Sequence, residues 1–149
     1  MTDSPSAPPQ LPRVVLDTNV LLDWRVFKDP LVEPVARAIG EGRVVWVATQ
    51  RMLREWHLVW PRPVFARWQP DPEVAKAAFE PATLCEEAPR GPLRCKDPDD
   101  QMFIDLSLHL GARWLLTKDA ALLKLARRAR ALGCEVLAPA ALPAQAFCG

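Results

Sequence analysis

Four short apolar runs set the strongest limit on how this chain can fold: RVVL at 13–16, RVVWV at 43–47, RWLL at 113–116 and CEVL at 134–137. Their apolar residues are continuous rather than alternating. A strand with one wet face alternates, whereas a strand in a parallel sheet covered on both sides is apolar throughout. Parallel strands need long crossover connections, and the segments between these runs carry helix signals. Thr49 can cap a helix through about residue 59, and Asp71 with Pro72 can open another through about residue 79. Asp97 followed by Pro98 places an N-cap before a proline at the first helical position, starting a helix to about residue 110. Asp119 can cap a last, long helix ending at Gly133. Strand and helix thus alternate, which predicts an α/β fold with right-handed crossovers.

A length of 149 residues suits one domain with one core. The opening MTDSPSAPPQLP reads as a disordered Pro/Ser-rich tail (1–12), leaving 13–149 as the folded domain. It has neither the basic nor the apolar region of a secretory signal, and no run approaches the roughly 18 apolar residues of a membrane span. Cys85, Cys95, Cys134 and Cys148 form no C-x-x-C pair and have no histidine at zinc spacing, so reduced thiols and a cytoplasmic setting are expected. A net charge of +1 does not announce a nucleic-acid binder. Charge is unevenly spread, however. Asp97, Asp99, Asp100 and Asp105 crowd together, while Lys124, Arg127, Arg128 and Arg130 lie on a later helix, where a solvated face explains them. The stretch from Trp60 to Lys96 is rich in Pro and Trp and is the least readable part of the chain.

Carboxylates stand where such a sheet binds ligands, beyond the carboxyl ends of its strands. Asp17 directly follows the first strand, between apolar neighbours, where an unpaired carboxylate is costly. The turn after it calls for a cap from Thr18 or Asn19. Asp119 follows RWLL closely, in LLTKD. On the helix opened at Asp97, Asp100 shares a face with Phe103, Ile104 and Ser107, while Gln101, Asp105 and His109 form the wetter face. Glu55 borders an apolar arc of Met52, Trp56, Val59 and Trp60. Taken singly, Asp119 is explained as an N-cap, Asp100 by the helix dipole and Glu55 as a surface residue.

In combination these segments have a likeness. VVLDTNVLLD, ATQRMLREW and DPDDQMFIDLSLHLGARWLLTKDAALL, in that order, resemble the PIN domain, above all its branch of toxin components of bacterial toxin–antitoxin systems, from about residue 13 to 139. The resemblance implies a three-layer α/β/α sandwich around a mostly parallel sheet of four to five strands. It also implies a metal-dependent ribonuclease, acting on RNA, with a cognate antitoxin and a homodimer as possible partners. Asp17, Glu55, Asp100 and Asp119 match the family's acids, as catalytic residues and metal ligands. Asn19 and Thr117 match its supporting polar neighbours. Asp97 and Asp99 compete with Asp100 for the third acid, and Asp23 matches a less regular position and is placed on the surface. Lys118 stands where this branch often has glycine, either narrowing the approach or contacting phosphate. The Trp-rich segment 56–68 is not a family signature.

Crowded carboxylates raise one another's pKa and are relieved by a cation. All-oxygen ligands without His or Cys favour Mg2+ or Mn2+ over zinc. Arg51, Arg54, Lys118 and the arginines of KLARRAR are candidates to position RNA. Trp46, Trp56 and Trp114 are expected in the core, Trp60 and Trp68 are open between core and base stacking, and His57 and His109 are ordinary helix residues. Two other readings remain: a non-catalytic PIN scaffold that binds RNA or a protein, and a haloacid-dehalogenase-like phosphatase with Asp17 as nucleophile. The phosphatase usually wants a second aspartate two residues on, where Asn19 stands.

Overall fold

The computed structural model describes residues 10–147. Residues 1–9 of the expected tail, and Cys148 with Gly149, lie outside the described residues.

The strands β1 (Arg13–Leu16), β2 (Val45–Thr49), β3 (Thr83–Cys85), β4 (Trp114–Leu116) and β5 (Glu135–Leu137) form one sheet in the order β3-β2-β1-β4-β5. Every pairing is parallel. β1 is central, and Val14, Val15 and Leu16 are buried, as a continuous apolar run requires. Four strands lie at or near the expected runs. The second begins at Val45 rather than 43 and continues to Thr49. β3 falls in the unread segment; two of its three residues are exposed, and its strand state rests on pairing Val47 with Thr83 and Thr49 with Cys85.

Helices cover the sheet: α1 (Thr18–Arg25), α2 (Glu33–Gly40), α3 (Gln50–Val59), α4 (Pro72–Lys76), α5 (Gln101–His109), α6 (Ala120–Leu123) and α7 (Ala126–Ala131). Thr49 caps α3 as expected, its hydroxyl accepting from the Met52 N–H. Neither Thr18 nor Asn19 caps α1; Asp17 does. Asp97 caps a 3-10 turn, Pro98–Asp100, that leads into α5. α4 stops short of residue 79, where the Ala78 N–H turns to the carbonyl of Ala75. The long helix expected after Asp119 is two, because the Leu125 N–H bonds the Leu122 carbonyl three residues back and tightens the turn. Trp46 packs between Trp24 and Phe79, at ring separations of 5.6 and 5.0 Å. The buried Trp56 indole donates to the Ala75 carbonyl at 2.8 Å, pinning α4 to α3.

One expected wet face is covered. Gln101 and Asp105 are buried because the chain around Gly91–Cys95 folds back over them. The Gln101 amide donates to the Leu93 carbonyl and to Asp105 Oδ1, both at 2.8 Å, and its oxygen accepts from Cys95 N–H at 2.7 Å. Asp105 Oδ1 also accepts from Gly91 N–H at 2.9 Å. This clamp fixes the approach to Asp97.

The strand order has a consequence for function. β1 leads outward to β2 and β3, and the chain then returns to the other side of β1 as β4. The switch point therefore lies between the carboxyl ends of β1 and β4, where open α/β sheets form their crevice. Among the described residues, no helix is long and apolar enough to cross a membrane.

Candidate functional site

Asp17 and Thr117 emerge side by side at that switch point. Asp17 is only 2% exposed. Its Oδ1 caps α1 by accepting from Val20 N–H at 2.9 Å, and its Oδ2 accepts from the buried Thr117 hydroxyl. The Thr117 oxygen in turn accepts from Asp119 N–H at 2.9 Å. One hydroxyl thus joins the ends of β1 and β4. Burial pushes the Asp17 carboxyl up to about 6, against the pull of the Thr117 and Val20 donors, with the nearby carboxylates of Asp119 and Asp23 adding to the rise.

Asp119 caps α6, its Oδ1 accepting from Ala121 N–H at 2.7 Å. The turn before α5 brings two more acids to it. Ligand oxygens of Asp97, Asp100 and Asp119 lie within 4.8 Å of one another. Asp100 Oδ2 is buried and has no hydrogen-bond partner. Burial, then a hydrogen bond shared with Asp119, then the charges of Asp119, Asp97 and Asp17 push the Asp100 carboxyl up to about 8. Like charges held this close cannot all ionise without help.

The four acids expected to line one site are therefore not equivalent. Asp100 and Asp119 join a cluster, and Asp97, a rival for the third place, enters it beside Asp100 rather than instead of it. Asp17 is linked to the cluster through Thr117. Glu55 stands to one side on α3, half-buried, accepting from the Thr18 hydroxyl. Thr117 stands between Asp17 and Asp119, bonded to both. Asn19 is exposed, and among the described hydrogen bonds its side chain makes none, while its neighbour Thr18 donates to Glu55. Asp99 lies outside the cluster and lines a cavity with Glu55.

Asp23 is a correction. Expected on the surface, it is buried on α1 and paired with Lys118, whose ammonium nitrogen lies 2.7 Å from Asp23 Oδ2. The signal was available, since Asp23 follows the buried Val20 by one helical turn. Lys118 thus has a partner within the protein.

The residues present fit a divalent cation. The cluster offers only carboxylate oxygens, the set preferred by hard ions, and one of them is buried without any donor. A family model of the PIN domain matches residues 13–121, a span that includes every acid of this site. No curated protein matches the chain.

Proposed function

Since this chain belongs to the PIN-domain family, a nuclease-type fold, we propose that it is a Mg2+- or Mn2+-dependent endoribonuclease, the toxin of a toxin–antitoxin pair. The observation that carries the proposal is the Asp97–Asp100–Asp119 cluster, whose buried, donor-free oxygen lies at the sheet's switch point. Asp97, Asp100 and Asp119 would hold the cation, with Asp17 completing the set directly or through water. When bound, such an ion lowers the pKa of a water and offsets charge on the phosphodiester. Thr117 fixes the orientation of Asp17 and Asp119 relative to each other, which keeps the ligand set ready before substrate arrives. Glu55, held by Thr18, orients the attacking water or joins a second ion. Residues 13–149 act as one nuclease domain in the cytoplasm, with RNA as substrate and with a cognate antitoxin and a second copy as partners.

The test is manganese titration by calorimetry on the wild type, Asp17→Asn and Asp100→Asn, beside cleavage of RNA with and without EDTA. Binding and EDTA-sensitive cleavage in the wild type, lost in Asp100→Asn, support the proposal. A wild type that binds no manganese even with RNA present overturns it, and leaves a scaffold that binds RNA or protein as the function of the fold. Hydrolysis of a small phosphate ester in place of RNA would instead favour the phosphatase.

A further inference from the structure

Residues Arg51, Arg54, Glu55, Leu58 and Arg62 recur at helical spacing along α3 and the turn that ends it, so they share one face. That face, with Asp99 and Met102 opposite, lines an open groove. One end of the groove belongs to the acid site. Glu55 is bonded to Thr18, next to Asp17, and Asp99 is next to Asp100. Along the rest, Arg51, Arg54 and Arg62 are all exposed, and among the described residues none of their guanidinium groups has an ion-pair partner. Glu87 comes close to Arg51 but accepts from its backbone N–H, at 3.1 Å. Elsewhere, Arg37 is paired with Glu33, Arg43 with Glu41, Lys118 with Asp23 and Arg130 with Glu135. Lys124, Arg127 and Arg128 are in no described ion pair, so it is the groove and its acid end that set the three arginines apart. Leu58, 72% exposed, and Met102 add apolar surface to the groove.

We propose that this groove is the track for the single-stranded RNA backbone on its way to the acid cluster, an inference that rests on the ribonuclease reading. Three uncommitted guanidinium forks match the geometry of phosphate oxygens. Leu58 and Met102 offer apolar contact to unstacked bases, which a duplex keeps inside. The arrangement is bipolar: acids where a cation and the scissile phosphate meet, arginines where the flanking phosphates lie. It also separates α3 from the basic run on α7. That helix leads toward the start of β5, away from the carboxyl edge of the sheet, and its Arg130 is paired with Glu135. Arg62 had no sequence signal of its own, because it lies beyond the helix end.

The experiment measures binding of a labelled, mixed-sequence single-stranded RNA to the full chain in EDTA, across a range of potassium chloride concentrations. The Arg51→Gln/Arg54→Gln/Arg62→Gln variant should weaken binding at least about tenfold at low salt. It should also lower the slope of log affinity against log salt by about 2, at roughly 0.7 per phosphate contact. Arg127→Gln/Arg128→Gln, on α7, should leave the slope unchanged. A wild-type slope in the α3 variant, a lowered slope in the α7 variant, or equal affinity for duplex RNA of the same sequence overturns the proposal. So does a wild type that ignores RNA and binds polyglutamate, which would make the groove a docking site for an acidic protein. Manganese titration in parallel separates the two failures. Normal metal binding and cleavage with an unchanged slope removes only the track, whereas loss of both metal binding and cleavage in the wild type removes the ribonuclease itself.

Discussion

Asp100, in the turn before α5, and Asp105, within α5, lie five residues apart and meet burial in opposite ways: Asp105 is buried whole, Asp100 only half-buried with one oxygen enclosed. Asp105, 7% exposed, receives the Gly91 N–H and the Gln101 amide, and through them holds the chain that approaches Asp97. Asp100 has a buried oxygen with no donor and two acids crowded against it. A buried carboxylate that has its donors is a structural part. One left without donors costs stability and persists where something else repays it. The contrast separates carboxylates that have their donors from those crowded without them, which under the proposed reading hold the cation. It sorts the remaining acids too: Asp23, paired with Lys118, belongs with Asp105, whereas Asp17 has donors and is still pushed up to about 6.

The largest effect expected from breaking this contrast is on activity. Asp100→Asn should lower RNA cleavage on the order of a thousandfold, the loss of about 4 kcal/mol of charge stabilisation. It should not lower the thermal midpoint of the metal-free protein, because it removes crowding rather than support. A cleavage assay and a melt on one preparation check both. If Asp100→Asn melts early, its carboxylate is a structural part after all. Asp105→Ala should do the reverse, costing about 2–4 kcal/mol by leaving the Gln101 amide and Gly91 N–H without their acceptor. Denaturant unfolding measures that cost. Cleavage per folded molecule should change much less than in Asp100→Asn.

Which side of the contrast a residue falls on was only partly legible in the chain. β1 and β4 were visible because a doubly covered strand must be apolar throughout, and their ends placed Asp17 and Asp119 at the carboxyl edge. The turn before α5 was visible from Asp97–Pro98, but the choice among Asp97, Asp99 and Asp100 was not. A 3-10 turn precedes the α-helix there, so helical-face arguments begin to apply only at Gln101. Asp105 was misassigned to a wet face because what covers it is a distant segment without local pattern. β3 was missed for a related reason: a three-residue edge strand with exposed side chains carries no apolar signal. Pairwise donors such as Thr18 to Glu55 and Lys118 to Asp23 are tertiary facts, readable only once the helices are packed.

Acidity offers a subtler probe. In the metal-free protein Asp17 is raised from 3.8 to about 6 and Asp100 to about 8. Between about pH 4 and pH 8 the folded state therefore keeps protons that the unfolded chain has released, and stability must fall as pH rises through that window. Manganese should flatten the fall, since bound metal replaces the protons. Asp17→Asn keeps an oxygen for Val20 and an amide for Thr117, and should raise metal-free stability at pH 7 by about 2–3 kcal/mol. Urea titrations from pH 4 to 8, with and without manganese, would show it. A stability that rises with pH in the absence of metal would contradict the crowded state.

The smallest effect, and the sharpest for the comparison, concerns Lys118 and Asp23. The two ends of this ion pair are unlike: the Lys118 side chain is 47% exposed and that of Asp23 only 5%. Removing the lysine leaves a buried carboxylate without its cation, the predicament that Asp100 has by design. Removing the aspartate leaves an ammonium that water can solvate. Lys118→Met should therefore cost about 1–2 kcal/mol, and Asp23→Asn less than about 1. Burial holds Asp23 above the usual carboxylate range even with the lysine in place, so the loss in Lys118→Met should grow as pH rises and the bare carboxylate ionises. The double variant should recover most of what Lys118→Met loses, since no stranded charge remains. Equal costs for the two single variants would mean that the pair acts as an ordinary surface contact. Asp23 would then no longer belong with the carboxylates that are held by a partner.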